Sequence, residues 1–224
     1  LDMAPNSFDD QYLNCRSEMW MRLPMLNRCE FALNRNYSKV WAEAAAKRPR
    51  PLQSLQWREE AIALMAYTMD STLYEEFNTA VRKNGSSLKH YLNNFHFKVM
   101  HFLLTEALSD LRDAKSHPAC LHVYRGVPGI RFSAKPGQII RFGQFTSTSL
   151  KEEVAKGFGT DTFFELYTCH GAKIRDFSCY PDEEEVLIPP FETFKVTNVS
   201  DTKDGTYIQL RSHGVHSKYS CAWL

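Results

Sequence analysis

The sequence predicts an α+β protein in which a helical lobe precedes a mainly β lobe. Three observations predict it. Apolar residues of the first half recur at i, i+3, i+4 and i+7; beyond Cys120 the chain breaks into short β-rich segments; and Gly, Pro and Asp separate those segments. Residues 1–117 read as the helical lobe and 118–224 as the β lobe of one domain. At 224 residues and 43% apolar content the chain is long enough to bury a full core.

In order, Phe8-Asp9-Asp10 reads as the start of a helix running through Tyr12, Met19 and Trp20 toward Leu23. A second helix is expected over Glu30 to Lys47, ending at Arg48-Pro49. A third runs from Trp57 to Met69, and a fourth from Thr72 to Lys83, closed by Asn84-Gly85. The clearest spans Ser87 to Arg112, with Leu88, Tyr91, Leu92, Phe95, Val99, Phe102, Leu103 and Leu111 along one stripe and Ser86 or Ser87 as N-cap. Strands are expected at Leu121–Arg125, Gln138–Phe142, Gln144–Ser149, Thr162–Cys169, Glu184–Ile188, Phe191–Val199 and Tyr207–Arg211. A short helix, Leu150 to Phe158, is expected to be capped by Thr148 or Ser149.

A net charge of +1 gives no reason to expect a nucleic-acid partner. The basic stretch Lys47-Arg48-Pro49-Arg50-Pro51 is short and Pro-broken, as in a solvated loop. No apolar run approaches bilayer-spanning length, and no leader or lipid-anchor tail is visible. The six cysteines form no CxxC pair and have no His at zinc-ligand spacing, so no metal site is expected. Their spread along the chain, with sequons at Asn36, Asn84 and Asn198, favours a disulfide-bonded, glycosylated extracellular protein.

Three motifs point to a site. In Tyr180-Pro181-Asp182-Glu183-Glu184-Glu185-Val186-Leu187-Ile188-Pro189-Pro190, a strand opening at Glu185 would send Glu183 and Glu185 to one face and Glu184 to the other. Two carboxylates that repel and lose solvent suit a cation or a cation-like transition state. Taken alone, such a run is usually a solvated acidic turn. Tyr124-Arg125-Gly126 puts a guanidinium suited to a pyrophosphate beside a glycine that admits close backbone approach. Phe145-Thr146-Ser147-Thr148-Ser149 offers alternating hydroxyls on a strand.

The order Arg, then Ser-Thr-Ser, then Glu-x-Glu resembles the arginine-specific mono-ADP-ribosyltransferases, and most of all the vertebrate ecto-enzymes of that family. Further stretches carry the resemblance across the chain: Ser7-Phe8-Asp9-Asp10-Gln11-Tyr12, Ala66-Tyr67-Thr68, Phe77-Asn78, His101 to Leu108, Phe142 to Leu150, and Glu185 to Pro190. The resemblance implies a helical lobe on a mixed β-sandwich core of ADP-ribosyltransferase type. It implies transfer of ADP-ribose from NAD, a consumed substrate, to arginine side chains of target proteins, with no metal. Arg125 would hold the NAD phosphates and the Gly126 backbone would meet the nicotinamide amide. Ser147 would orient the catalytic Glu185, and Glu183 would serve the arginine acceptor. Gln144, Ser178, Tyr67 and Asn78 would lie near NAD, and Tyr180 would meet the target.

The resemblance also implies disulfides Cys15–Cys221 and Cys120–Cys169, leaving Cys29 and Cys179 over. Cys179 is then either a redox-sensitive element of the target loop or a small packed hydrophobe. A monomer, secreted or GPI-anchored at the cell surface, is implied. Two other functions stay open: a predominant NAD glycohydrolase, with water in place of arginine, and a catalytically silent surface protein on the same fold.

Overall fold

The structure, a computed structural model, describes residues 1–47 and 54–224. The basic stretch expected as a solvated loop falls, after Lys47, outside the described residues. Among the described residues six helices come first: α1 (Arg16–Leu33), α2 (Arg35–Ala46), α3 (Arg58–Thr68), α4 (Leu73–Lys83), α5 (Leu88–Asn94) and α6 (Lys98–Asp113). The second half holds β1 (Leu121–Val127), β2 (Ile139–Ile140), β3 (Thr146–Ser149), α7 (Glu152–Phe158), β4 (Thr162–Thr168), β5 (Ala172–Lys173), β6 (Glu185–Ile188), β7 (Glu192–Thr202) and β8 (Gly205–Val215).

Among the described residues eight strands hydrogen-bond in the order β2-β7-β8-β4-β1-β3-β6-β5, parallel only between β4 and β8. The ladder narrows to one pair, Tyr124 with Ser149, between β1 and β3. There the sheet folds into two leaves. Val186 and Ile188 of β6 share a core with Val123, Phe164, Leu166, Val196 and Ile208 of the other leaf. Leu187, of opposite parity, joins the larger helical core with Phe145, Ala172 and Ile174. β6 is thus buried on both faces, which accounts for its unbroken apolar run.

Four expectations are corrected. Residues 8–12 are a mostly buried arm without regular secondary structure, and α1 starts only at Arg16. The reason is tertiary. Asp9 pairs with Arg141 at 2.6 Å, and Asp10 accepts from the Tyr12 and Ala222 amides, so neither carboxylate is free to cap a helix. Glu30 does not open the second helix; it lies within α1, and α2 follows Asn34, whose side chain accepts from Tyr37 N. The long stripe from Ser87 divides at Phe95–Phe97. Ser87 caps α5, while the Glu30 carboxylate accepts from Lys98 N (2.8 Å) and Val99 N (2.9 Å) and so caps α6. Phe95 and Phe97 are buried in the break. The short helix α7 begins at Glu152, with Lys151 before it. Beyond these, β5 was not expected, and β7 and β8 extend past their expected ends.

Both implied disulfides form. Cys15–Cys221 closes a separation of 206 residues and ties the start of α1 to the chain's end. Cys29 is free and exposed; Cys179 is free, half-buried and packed against the helical core, as a small hydrophobe would be.

Candidate active site

β3 and β6 run antiparallel, with Ser147 opposite Leu187 and Ser149 opposite Glu185. Opposite residues share a face, so Ser147 and Glu185 stand on the side of Leu187, toward the helical lobe. Between the lobes lies a cleft of about 650 Å³. Its walls include Tyr67, Arg125, Gly126, Ser147, Tyr180, Glu183 and Glu185, so seven of the ten residues assigned to the site from sequence meet there.

Arg125 lies near the end of β1 and donates from Nη1 to the Ser147 carbonyl at 2.8 Å. That bond joins β1 to β3 where their backbone pairing is thinnest. Gly126 has a reason beyond ligand approach. A Cβ there would lie 2.1 Å from the Ala155 carbonyl oxygen and 2.3 Å from that of Gly159, so only glycine lets α7 pack on β1.

The loop before β6 is held at several points. Cys179 N donates to Thr68 Oγ1 of α3 (2.9 Å), and Tyr180 N to Ser178 Oγ (3.0 Å). Ser149 Oγ donates to the Glu183 carbonyl at 2.6 Å, and Leu150 N to that of Glu184 at 3.1 Å. Glu183 sits in a 3₁₀ turn, Pro181–Glu183, rather than on a strand. Glu184 follows in left-handed backbone (φ 45°), and β6 opens at Glu185. Glu183 and Glu185 still share the cleft, while Glu184 turns away to pair with Arg175 at 3.2 Å. The expected separation holds, but a turn produces it rather than strand alternation.

The other three assigned residues stand behind the walls. Asn78 Nδ2 donates to Tyr67 Oη (3.0 Å), which donates to the Phe145 carbonyl (3.0 Å), so Asn78 braces Tyr67. Gln144 Oε1 accepts from Arg82, and Ser178 supports Tyr180. Sequence reasoning missed Asp70, Tyr74, Glu75, Tyr124 and Phe158, which also line the cleft. Tyr124 adjoins Arg125 and was the one within reach; the others arrive by packing, without a local signal.

Glu185 is 6% exposed, and among the described residues its Oε2 has no hydrogen-bond partner. Burial pushes its carboxyl up to about 7. The Ser147 hydroxyl opposes that shift, the neighbouring Glu183 adds to it, and Arg125 opposes it. Desolvation also raises Glu183. A reaction that needs ionised Glu185 therefore loses activity as pH falls through about 7. We expect kcat/KM for NAD to show that acid limb. Glu183→Gln should move it to lower pH and Ser147→Ala to higher pH. A profile that stays flat through this range, or shifts of opposite sign, would contradict the assignment.

The same fold occurs in the crystal structure of the eucaryotic mono-ADP-ribosyltransferase ART2.2, with a TM-score of 0.86 and 36% identity, over 100% of this chain and 99% of that one. The fold and cleft thus define an ADP-ribosyltransferase architecture. The family model for NAD:arginine ADP-ribosyltransferase matches residues 1–218. The chain is 51% identical over 229 residues to NAD(P)(+)--arginine ADP-ribosyltransferase 2 of Gallus gallus, covering 100% of this chain and 73% of that protein. It is 47% identical over 243 residues to GPI-linked NAD(P)(+)--arginine ADP-ribosyltransferase 1 of Homo sapiens, covering 100% of this chain and 74% of that protein. The chain belongs to the NAD:arginine ADP-ribosyltransferase family.

Proposed function

We propose that this protein transfers ADP-ribose from NAD to the guanidino group of arginine in target proteins and releases nicotinamide. The observation that carries this reading is the buried Glu185 carboxylate, with an unpartnered oxygen in a cleft that also holds Glu183, Ser147 and Arg125. Breaking the nicotinamide–ribose bond builds positive charge on the ribose, and a fixed carboxylate stabilises that charge more in the transition state than in the ground state. Ser147 orients Glu185, and Arg125 takes the phosphates of NAD, with Gly126 beside the nicotinamide. Glu183, less buried, binds the incoming guanidinium and helps remove its proton. Tyr180, 43% exposed, meets the target. Asn78, Gln144 and Ser178 act by bracing the walls.

Residues 1–224 form one domain in this reading, since Phe145, Ala172 and Leu187 of the second half share a core with the helices. The protein acts as a monomer at the extracellular surface, secreted or GPI-anchored. Among the described residues no helix is long and apolar enough to cross a membrane. Asn198 is the best placed of the three sequons for glycosylation, being exposed on β7. The Asn36 amide donates to Thr72 and Glu76, and that of Asn84 to the Asn94 carbonyl.

The test is labelled NAD with agmatine, following transferred label and free nicotinamide together. Wild type should do both. Glu183→Gln should keep releasing nicotinamide while transfer falls, on the order of a hundredfold for loss of a general base. Nicotinamide release without transfer by wild type would make the protein a glycohydrolase, and no turnover would leave a silent binding protein.

A further inference from the structure

We propose that Thr68 is a positioning residue for the transfer step: its hydroxyl pins the loop that carries Tyr180 and Glu183, and so sets how ADP-ribose is divided between an arginine acceptor and water. This rests on the arginine-acceptor reading above and identifies what holds the acceptor side of that site.

The two glutamates are held in different ways. Glu185 lies on β6, opposite Ser149 of β3, and its carbonyl accepts from Ile174 N at 3.0 Å. Strand pairing fixes it from both neighbours. Glu183 lies outside the ladder, at the end of the 3₁₀ turn Pro181–Glu183, so its position depends on how the loop is anchored. At one end Ser149 Oγ and Leu150 N hold the Glu183 and Glu184 carbonyls. At the other, Phe177 is buried in the helical core, Cys179 packs against that core, and Cys179 N reaches Thr68 Oγ1 at 2.9 Å. Tyr180 and the turn hang between these two anchors.

Thr68 ends α3 and lines the cleft. Its hydroxyl donates to the Met65 carbonyl at 3.1 Å, which commits the proton and leaves the oxygen to accept from Cys179 N. One residue earlier, Tyr67 Oη donates to the Phe145 carbonyl beside β3. The end of α3 therefore supports the NAD side through Tyr67 and the acceptor side through Thr68, by separate bonds. In transfer, the nicotinamide–ribose bond breaks and nicotinamide leaves with its electron pair. A guanidino nitrogen then bonds the ribose carbon and loses a proton to Glu183; in hydrolysis a water oxygen forms that bond instead. Removing the Thr68 oxygen frees one anchor of Tyr180 and Glu183 and leaves the strand pairing of Glu185 intact. The ribose cation forms as before, but the guanidinium is less well placed, and water takes a larger share.

The experiment compares wild type, Thr68→Val and Thr68→Ser with labelled NAD, with and without agmatine. It follows transferred label, free nicotinamide, KM for each substrate and melting temperature. Valine keeps the branched shape and removes the accepting oxygen; serine keeps the oxygen. Thr68→Val should lower kcat/KM for transfer to agmatine about three- to tenfold, the scale of one lost hydrogen bond, mainly through KM for agmatine. Nicotinamide release without acceptor, and KM for NAD, should stay near wild type. Label transferred per nicotinamide released should therefore fall in the valine variant and recover in the serine variant. An unchanged ratio in Thr68→Val overturns the assignment. Equal loss of transfer and of acceptor-free NAD cleavage, or a valine variant too unstable to assay, makes Thr68 a structural residue of α3 and also overturns it. So does a serine variant as impaired as the valine one, which would place the effect in the methyl group. Absence of transfer to agmatine by wild type removes the arginine-acceptor reading itself, a failure distinct from the others.

Discussion

Glu185→Gln should lower NAD cleavage, with or without an acceptor, on the order of a thousandfold, because one preorganised electrostatic contact to a developing charge is worth that much. Glutamine keeps the size of the side chain but not the negative charge that opposes the ribose cation. The same substitution should leave the fold at least as stable as wild type. A carboxyl raised to about 7 in the folded state, against an ordinary 4.5, is easier to protonate when folded. Its stabilising effect is therefore full at low pH and is lost as pH rises from about 4.5 through 7, a cost on the order of 3 kcal/mol above that range. Glutamine carries no charge to desolvate. The variant should thus be inactive yet melt no lower than wild type at pH 8, read by nicotinamide release and thermal denaturation. Substantial activity would remove Glu185 from the mechanism. Inactivity together with a large loss of melting temperature would assign it a structural role.

Asp9→Asn should cost about 3–5 kcal/mol of stability, the typical cost of removing one partner from a buried ion pair. Asp9 and Arg141 are both buried, and they meet at 2.6 Å. The Asp9 carboxylate also accepts from Lys218 N and Tyr219 N, while Arg141 donates to the carbonyls of Met3, Ala4 and His216. One pair thus joins both ends of the chain to the segment before β3. Without the negative charge, the guanidinium stays buried with only neutral partners. Chemical denaturation should show the midpoint falling, with a loss of about 10 °C in melting temperature. Asp204→Asn, an exposed carboxylate in the β7–β8 turn, is the control and should change stability by less than about 0.5 kcal/mol. A cost for Asp9→Asn no larger than the control's would refute the hub.

Much of the fold and site is legible in the chain itself. The apolar period of α3 and α4 and the short β-rich segments after Cys120 gave their elements to within a few residues. Misses fall where a distant partner overrides local preference. Glu30 ends up capping α6, a helix far along the chain, so neither the extent of α1 nor the break at Phe95–Phe97 could be read locally. The β3 and β6 motifs, carried by the family resemblance, named Ser147, Glu183 and Glu185. Asp70, Tyr74 and Phe158 reach the same cleft only because two lobes pack there, and nothing adjacent to them in sequence records it.

The sequence by itself determined the α+β order of elements, and the family pattern it carries supplied the cysteine pairs and the chemical groups of the candidate site, because these follow from residue type, local period and motif order. Only the tertiary structure decided the buried arm of residues 8–12, the turn that separates Glu183 from Glu184, and the raised carboxyl of Glu185. Each of those depends on which groups are desolvated together and which distant donors satisfy them, and that is settled by packing, not by neighbours along the chain.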